Sequence, residues 1–466
     1  MKTMKLEVVI LAAGKGSRMN SSEPKVMHEL GGRPLLEHVL LTAESLPCDK
    51  IHIVLGHGSE KVQEYLSQRK ASIRTNIVYQ DQQLGTGHAV QQTLDQIDPS
   101  NQPDLLLVLY GDVPLITAET LLDLINRNRE TLLLVTLETD SPDGLGRIIR
   151  TDDGAIAAIV EDKDATDEQR LIGEINTGIM LAPAEKLREW VGALANNNSQ
   201  GEYYLTDIVS HAVDQGFSVD SICTGDEFEV HGVNDKLQLC ILERHFQMQQ
   251  AQKILASGAQ VMDPTRLDIR GKLTHGANLT LDVNVILTGD VTVGSDVLIG
   301  PHNCISNTKI GSGVTILPGC VIDGAIIEDD VTIGPNARLR PGTVLKNRSK
   351  IGNFVEIKNS IIGTGSKANH LAYIGDATIG SGCNIGAGTI FCNYDGVDKH
   401  HTTLGDRVFV GSNCVLIAPV SIGDDAFIAA GSSVSKSVPN QNLAVGRSSQ
   451  RNIEGWEKPK KKNNKT

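Results

Sequence analysis

The sequence predicts an α/β domain built on a parallel sheet, then a linker helix, then a β-solenoid. Three observations predict it. Apolar strands alternate with helical stretches from Leu6 to Glu138. Apolar residues at Leu237, Ile241, Met248, Ala251 and Leu255, with polar residues between, give an amphipathic helix up to Ser257, with Gly258 as its stop. From Leu281 to Val438 the aliphatic residues recur every six. The expected parts are therefore 1–236, 237–257 and 258–466.

A period of six matches neither the 3.6 of a helix nor the two of an ordinary strand. It matches a prism whose three flat sides are each six residues long. Leu281, Leu287, Val293, Ile299 and Ile305 form one run; Ile310, Ile316 and Ile322 form the next. Ile327, Ile333, Leu339, Leu345, Ile351 and Ile357 follow, then Ile374, then Leu404, Val410, Leu416, Ile422, Ile428 and Val434. These side chains are expected to fill the shaft. Gly often stands next, as at Gly294, Gly334, Gly352 and Gly423, and is expected to turn the corner with a positive φ. A β-sandwich has no reason to hold that register for so long.

Composition bounds the partners. Aromatic residues are only 3%, which suits a narrow aliphatic shaft. A net charge of -13 argues against general nucleic-acid binding. The basic stretch from Lys458 to Lys465 is the exception and reads as a solvated terminus in preference to a binding arm. Eight Cys show no C-x-x-C pair and read mostly as small buried apolar residues. No apolar run reaches the length of a membrane span, and no signal-peptide cleavage site follows the start. A soluble cytoplasmic protein with no membrane partner is expected.

In the first part, strands are expected at Leu6–Ala12, Lys50–Gly56, Asn76–Gln80, Leu105–Gly111 and Leu132–Glu138. Ligands on such sheets bind beyond the carboxyl ends of the strands. The loops at Gly14, Gln80 and Gly111 should converge there. The run Leu11 to Met19, LAAGKGSRM, is neither a P-loop nor a dinucleotide fingerprint, and alone it reads as a plain turn. With Pro24-Lys25 it puts flexible backbone and two cations, Arg18 and Lys25, in one place. That much charge suits a triphosphate.

LAAGKGSRM with Pro24-Lys25 resembles the signature of the sugar-1-phosphate nucleotidylyltransferases, a Rossmann-like α/β family. Gln80 to Gly87, the run Tyr110-Gly111-Asp112-Val113-Pro114, Gly144 to Arg147, Glu161, and Glu174 to Gly178 are similar to that family's other loops. The resemblance implies that Leu11, Ala12, Ala13, Gly14, Tyr110 and Gly111 contact the nucleotide. It implies that Lys25 and Arg18 stabilise the triphosphate and that Gln80, Gly85 and Thr86 read a pyrimidine edge. Gly146, Glu161 and Asn176 would hold the sugar, and Asp112 and Asn234 would hold Mg²⁺. Without the resemblance Asp112 could be a turn or helix cap, and Asn234 could cap the helix after it.

The hexads resemble the left-handed β-helix of the hexapeptide-repeat acyltransferases, which implies a homotrimer with acyl-coenzyme A between solenoids. Polar residues break the pattern at RLRPG (Arg338–Gly342), VEIK (Val355–Lys358) and KANHLAY (Lys367–Tyr373). CNYDGVDKHHTT (Cys392–Thr403) is too long for a corner and must leave the solenoid, with a neighbouring coil or subunit as its target. A lone His is commonly structural, but His370 has two cations within two coils. Taken whole, the chain resembles the bacterial family of bifunctional N-acetylglucosamine-1-phosphate uridylyltransferases and glucosamine-1-phosphate N-acetyltransferases. The resemblance implies that His370 is the general base of acetyl transfer. Arg340 and Lys358 would hold the sugar phosphate, and Tyr373 and Asn384 would orient the sugar. Ala387, Ser412, Ala430 and Arg447 would line the acetyl-CoA groove, with Asn393 and Tyr394 closing over it. UTP, acetyl-CoA, glucosamine-1-phosphate and N-acetylglucosamine-1-phosphate are the implied substrates. The competing readings are a nucleotidylyltransferase with a purely scaffolding or regulatory solenoid, and a non-catalytic assembly subunit. Arg340, Lys358 and His370 oppose the first; Lys25 and Asp112 oppose the second.

Overall fold

A computed structural model describes residues 4–14, 16–56, 58–127 and 130–459. Most of the basic terminus, from residue 460, lies outside them. The chain divides into two compact units, Met1–Gln249 and Gln250–Thr466.

The first unit is organised on Leu6–Ala12. Leu6, Val8 and Ile10 enter the core on one face of the sheet; Val9 and Leu11 enter the core on the other. Burial on both faces explains the uninterrupted apolar run. The sheet order is Val219–Thr224, Leu132–Glu138, Glu174–Pro183, Leu105–Tyr110, Leu6–Ala12, Lys50–Leu55, Thr75–Tyr79. The ladders on Leu6–Ala12 are parallel, as the alternation predicts. Glu174–Pro183 departs from that prediction: it runs antiparallel to both neighbours. Its chain arrives from a hairpin, Arg147–Arg150 with Ile156–Val160, and not from a crossover helix. Only a crossover returns a strand parallel.

The expected linker helix spans Lys236–Ala256. Its apolar stripe is not the predicted one. Leu237, Ile241 and Leu255 are exposed. Leu242 is buried instead, among Met19, Leu30, Leu35 and Val233. One carboxyl oxygen of Glu243 accepts the Gly31 N–H at 2.7 Å. Ala251 and Ile254 belong to the core of the second unit. The helix therefore serves different neighbours along its length, and no single 3.6-residue stripe describes it.

In the second unit one wall stacks Leu281, Ile299, Ile316, Ile333, Ile351, Ala368, Ile385, Val410, Ile428 and Ala444 in parallel register. Successive members are mostly 17 or 18 residues apart, so each slip in the hexad count is a corner one residue short. Every aliphatic position predicted for the shaft is buried. Between Ile357 and Leu404, where the count was sparse, Ile362, Ala368, Ile379, Ile385 and Phe391 fill it with Ile374. The step from Ile385 to Val410 spans 25 residues. That coil carries the long loop, which closes through an antiparallel bridge between Tyr394 and Lys399.

The corner glycines do a different job from the one predicted. Gly334 has φ +95°, but Gly294, Gly352 and Gly423 do not turn the chain. A Cβ on Gly352 would lie 1.8 Å from the Asn369 carbonyl oxygen, and one on Gly423 would lie 2.2 Å from Asn440 Oδ1. The missing side chain lets consecutive coils approach. The left-handed turn falls two or three residues after the aliphatic position, often on Asn or Asp such as Asp296, Asp330, Asn359 and Asn413. Those side chains tolerate αL and hydrogen-bond locally.

The cysteines also depart from expectation. Cys320, Cys383 and Cys414 are buried, whereas Cys223, Cys240 and Cys304 are exposed. Among the described residues no helix is long and apolar enough to cross a membrane.

Candidate functional site

The carboxyl ends of the central strands open into a cavity of about 510 Å³. Leu11, Ala12, Ala13 and Gly14 enter it from the first strand and its loop, Tyr110 and Asp112 from the end of Leu105–Tyr110. Gln80, Gly85 and Thr86 enter at the start of the helix Thr86–Gln96, and Lys25 and Asn234 complete the floor. The three predicted loops therefore converge. Lys25 Nζ lies 3.0 Å from Asn234 Oδ1 and is ion-paired with Asp112. Gly16, at φ +58°, leaves room for the Lys25 stem; a Cβ there would meet Lys25 Cβ at 2.7 Å. Gln80 Nε2 donates to the Gly85 carbonyl at 2.9 Å. Gly85 packs under Tyr203, whose carbonyl oxygen a Cβ would approach to 2.6 Å.

The residues assigned to a sugar, Gly146, Glu161 and Asn176, are not among those lining this cavity. The Asn176 N–H donates to the Gly146 carbonyl at 2.8 Å. Asn176 Oδ1 accepts the Gly178 N–H at 3.1 Å. Gly178 has φ +84° and faces the Tyr110 ring. Burial raises the Glu161 carboxyl above its ordinary value, against the lowering effect of the Thr206 hydroxyl at 2.9 Å. Burial, with the charges of Glu161 and Asp112, also raises the Tyr110 hydroxyl. Arg18 is not among the lining residues; it is exposed in the short 3-10 turn Ser17–Met19. Gln83 and Glu202 do line the cavity. Gln83 lies in the loop Gln80 to Gly87, where the resemblance assigns only Gln80, Gly85 and Thr86, and Glu202 carries no signal in the sequence.

The second constellation lies on the outside of the solenoid. His370 is exposed and shares a hydrogen bond of 2.9 Å with Asn353 Oδ1 through Nδ1. Asn353 is its register partner on the preceding coil. Around the corner formed by Leu371, Tyr373 pairs in register with Glu356, and Lys358 with Gly375. Alternation along the strand puts Ile357 and Ile374 in the shaft and sends Glu356, Lys358 and Tyr373 outward. Arg340 donates to Glu356 at 3.0 Å. Gly375 makes room at this face: a Cβ would lie 2.5 Å from the Tyr373 hydroxyl and 2.8 Å from Asn393 Nδ2. Asn384 lies on the wall that carries Lys367–His370, in register with Lys367 and Phe409.

The long loop folds back on its own solenoid. Asn393 is buried and donates to Asp376, and His401 shares a hydrogen bond of 3.0 Å with Thr378. Tyr394 turns to its own loop, its hydroxyl donating to the Gly396 carbonyl at 2.6 Å. Ala387, Ser412 and Ala430 form a column along one corner. The Asn413 N–H donates to the Ala387 carbonyl at 2.7 Å, and the Gly431 N–H to that of Ser412 at 2.8 Å. Arg447 caps the column, donating to the Ala430 carbonyl at 2.8 Å. Glu356, Asn353, Gly375 and Asp376 belong to this region and were not singled out from sequence. Their partners sit 16 or more residues away, a spacing that only coil stacking makes into contact.

Three family models match: a MobA-like NTP transferase domain over residues 8–164, a GMPPB C-terminal domain over 321–418, and the bacterial transferase hexapeptide (six repeats) over 401–436. The solenoid is thus the left-handed parallel β-helix of hexapeptide transferases. A protein of Marinobacter nauticus named bifunctional protein GlmU is 50% identical over 98% of this chain and 99% of its own length. Proteins of the same name from Pseudomonas putida and Acinetobacter baylyi are each 49% identical, with the same coverage of both chains. At this identity over nearly the whole length of both chains, the chain belongs to the family of bifunctional GlmU proteins.

Proposed function

We propose that this protein makes UDP-N-acetylglucosamine by two transfers on separate parts of the chain. The solenoid, residues 258–466, moves acetyl from acetyl-CoA to glucosamine-1-phosphate. The α/β part, residues 1–236, moves UMP from UTP to the resulting N-acetylglucosamine-1-phosphate. Acetylation comes first, because the solenoid chemistry needs a free amine. The observation that carries the reading is the outer face of the solenoid: a solvent-facing His370 oriented by Asn353, near a wall that presents Arg340, Lys358 and Tyr373. A scaffold has no use for it.

In acetyl transfer, His370 takes a proton from the sugar's ammonium, leaving a nitrogen lone pair to attack the thioester carbonyl. A C–N bond forms, the C–S bond breaks, and coenzyme A leaves as the thiol. Imidazole suits this step because its ordinary pKa lies near neutrality. Arg340 and Lys358 hold the phosphate, and Tyr373 and Asn384 orient the ring. The small residues Ala387, Ser412 and Ala430 leave a channel for pantetheine, with Arg447 at its end and Asn393 and Tyr394 at its side.

In uridylyl transfer, a phosphate oxygen of the sugar attacks the α-phosphorus of UTP and pyrophosphate leaves. Both partners are anions, so positioning and charge neutralisation dominate. Lys25 neutralises the triphosphate; Arg18 joins it only if its turn moves inward. Gln80, Gly85 and Thr86 read the uracil, and Gly146, Glu161 and Asn176 hold the sugar. The Lys25 ammonium rests between the Asp112 carboxylate and Asn234 Oδ1, so these two oxygens already accommodate a cation. They fit Mg²⁺, which takes oxygen ligands and commonly shares one carboxylate with substrate phosphates. When bound there, Mg²⁺ would neutralise charge on the triphosphate. Exposed apolar residues on the solenoid walls, among them Leu298, Val321, Ile390 and Phe427, support a homotrimer. A cytoplasmic location suits the substrates.

The test incubates glucosamine-1-phosphate, acetyl-CoA, UTP and Mg²⁺ with the full chain and follows free thiol and pyrophosphate. His370→Ala should abolish thiol release and keep pyrophosphate release from N-acetylglucosamine-1-phosphate; Asp112→Ala should do the reverse. Pyrophosphate release without any thiol would leave only the scaffold reading.

A further inference from the structure

Asp376 occupies the corner where the solenoid wall gives way to the long loop. It is 8% exposed and has φ +49°. One carboxyl oxygen accepts Asn359 Nδ2 at 2.6 Å, and the other accepts Asn393 Nδ2. Its backbone carbonyl accepts the Thr402 N–H at 3.1 Å. Asn393 is where the loop leaves the coil, and Thr402 is where the chain returns. One residue therefore ties both ends.

Turn geometry does not explain the carboxylate. One coil earlier the same corner is held by Asn359 at φ +44°. An amide suffices there, so the charge at Asp376 has another cause. Lys358 faces Lys399 from the loop, Asp376 from the next coil and Arg340 from the preceding coil. Lys399, with Arg340 behind it, holds the Lys358 ammonium below its ordinary value, and Asp376 opposes them. Glu356, the other nearby anion, is engaged by Arg340 at 3.0 Å. Burial tends to raise the Asp376 carboxyl, but Asn359, Asn393 and the two ammoniums bring it below its ordinary value. It is therefore an anion at neutral pH.

The geometry points to Asp376 as a positioning residue for acetyl transfer: its carboxylate fixes the loop at its base and lets Lys358 and Lys399 stand side by side as a phosphate-binding pair. This rests on the acetyltransferase reading above. Asp376 itself touches no reacting atom. Its charge acts on the acceptor sugar phosphate through Lys358 and Lys399, and its hydrogen bond to Asn393 reaches the acetyl-CoA side only secondarily.

The test compares the full chain with Asp376→Asn, which removes the charge and keeps the shape, and Asp376→Glu, which keeps the charge. In Asp376→Asn, KM for glucosamine-1-phosphate should rise about tenfold, and KM for acetyl-CoA, which the Asn393 contact touches, by no more than about threefold. The alkaline limb of kcat/KM for the amino sugar should move to lower pH, because Lys358 then loses its proton sooner. Asp376→Glu should raise KM for the sugar but leave that limb where the parent has it. A parental KM and alkaline limb in Asp376→Asn would overturn the proposal. So would equal rises in both KM values in both variants, the signature of a merely structural corner. A parent chain that transfers no acetyl group at all would remove the underlying reading as well, a result distinct from either.

Discussion

Gly352→Ala probes what the corner glycines are for. The added methyl carbon would lie 1.8 Å from the Asn369 carbonyl oxygen, well over an ångström inside van der Waals contact. The obstacle is backbone, and neighbouring strands are fixed at about 4.8 Å by their ladder. No rotamer change relieves it. Overpacking a tight core costs about 1–3 kcal/mol and sometimes more, and this overlap belongs at or above the top of that range. Gly365→Ala is the control. Gly365 has φ +70° but nothing within 4 Å of a Cβ. An alanine there pays about 1–2 kcal/mol for the left-handed backbone, offset by about 0.4–1 kcal/mol of unfolded-chain entropy. The entropy offset is common to both variants, so Gly352→Ala should be the more destabilising by about 1 kcal/mol or more. Relief would come by opening the register that pairs Asn353 with His370. Acetyl transfer should fall while uridylyl transfer persists. Hydrogen exchange across residues 350–371, read by mass spectrometry, measures the first effect, and paired product assays measure the second. Equal or better protection in Gly352→Ala than in Gly365→Ala would refute the stacking argument.

Two further outcomes are expected. Burial raises the Glu161 carboxyl, so on acidification it gains its proton at a higher pH than an ordinary carboxylate. KM for N-acetylglucosamine-1-phosphate should then climb as pH falls toward that range, and Glu161→Gln should flatten the dependence; a pH series of uridylyl-transfer kinetics checks both. For stability the sign is opposite: the raised value makes the ionised form mildly destabilising above it, and the effect fades as pH falls. Asn353→Ala removes the hydrogen-bond partner of His370 Nδ1. It should lower kcat for acetyl transfer about tenfold, with KM for both substrates nearly unchanged, as steady-state kinetics would show.

Much of this was legible in the chain itself. A six-residue aliphatic period is a local property, so the sequence alone determined that a solenoid exists and which side chains fill its shaft. The strands of the α/β part and the convergence of the loops at Gly14, Gln80 and Gly111 were likewise readable, because strands buried on both faces are apolar throughout. Apart from Lys25, Asp112 and Asn234, which the family resemblance grouped, the sequence was silent or misleading where a residue's role depends on what lies beside it. Gly352 and Gly423 looked like corner glycines, yet the left-handed turns fall further on, at Phe354 and Asp425. Leu237 and Ile241 looked like a buried stripe, yet Leu242 is the residue that packs. Arg18 looked like a partner of Lys25, yet it faces solvent. Glu356 and Asp376 carried no assignment in the sequence, and only stacking puts Arg340 and Asn393 against them. The physical reason is range: hydrophobic periodicity and backbone preference act over a few residues, whereas coil stacking and strand order bring together groups 17 or 209 positions apart, and only the folded chain decides those neighbours.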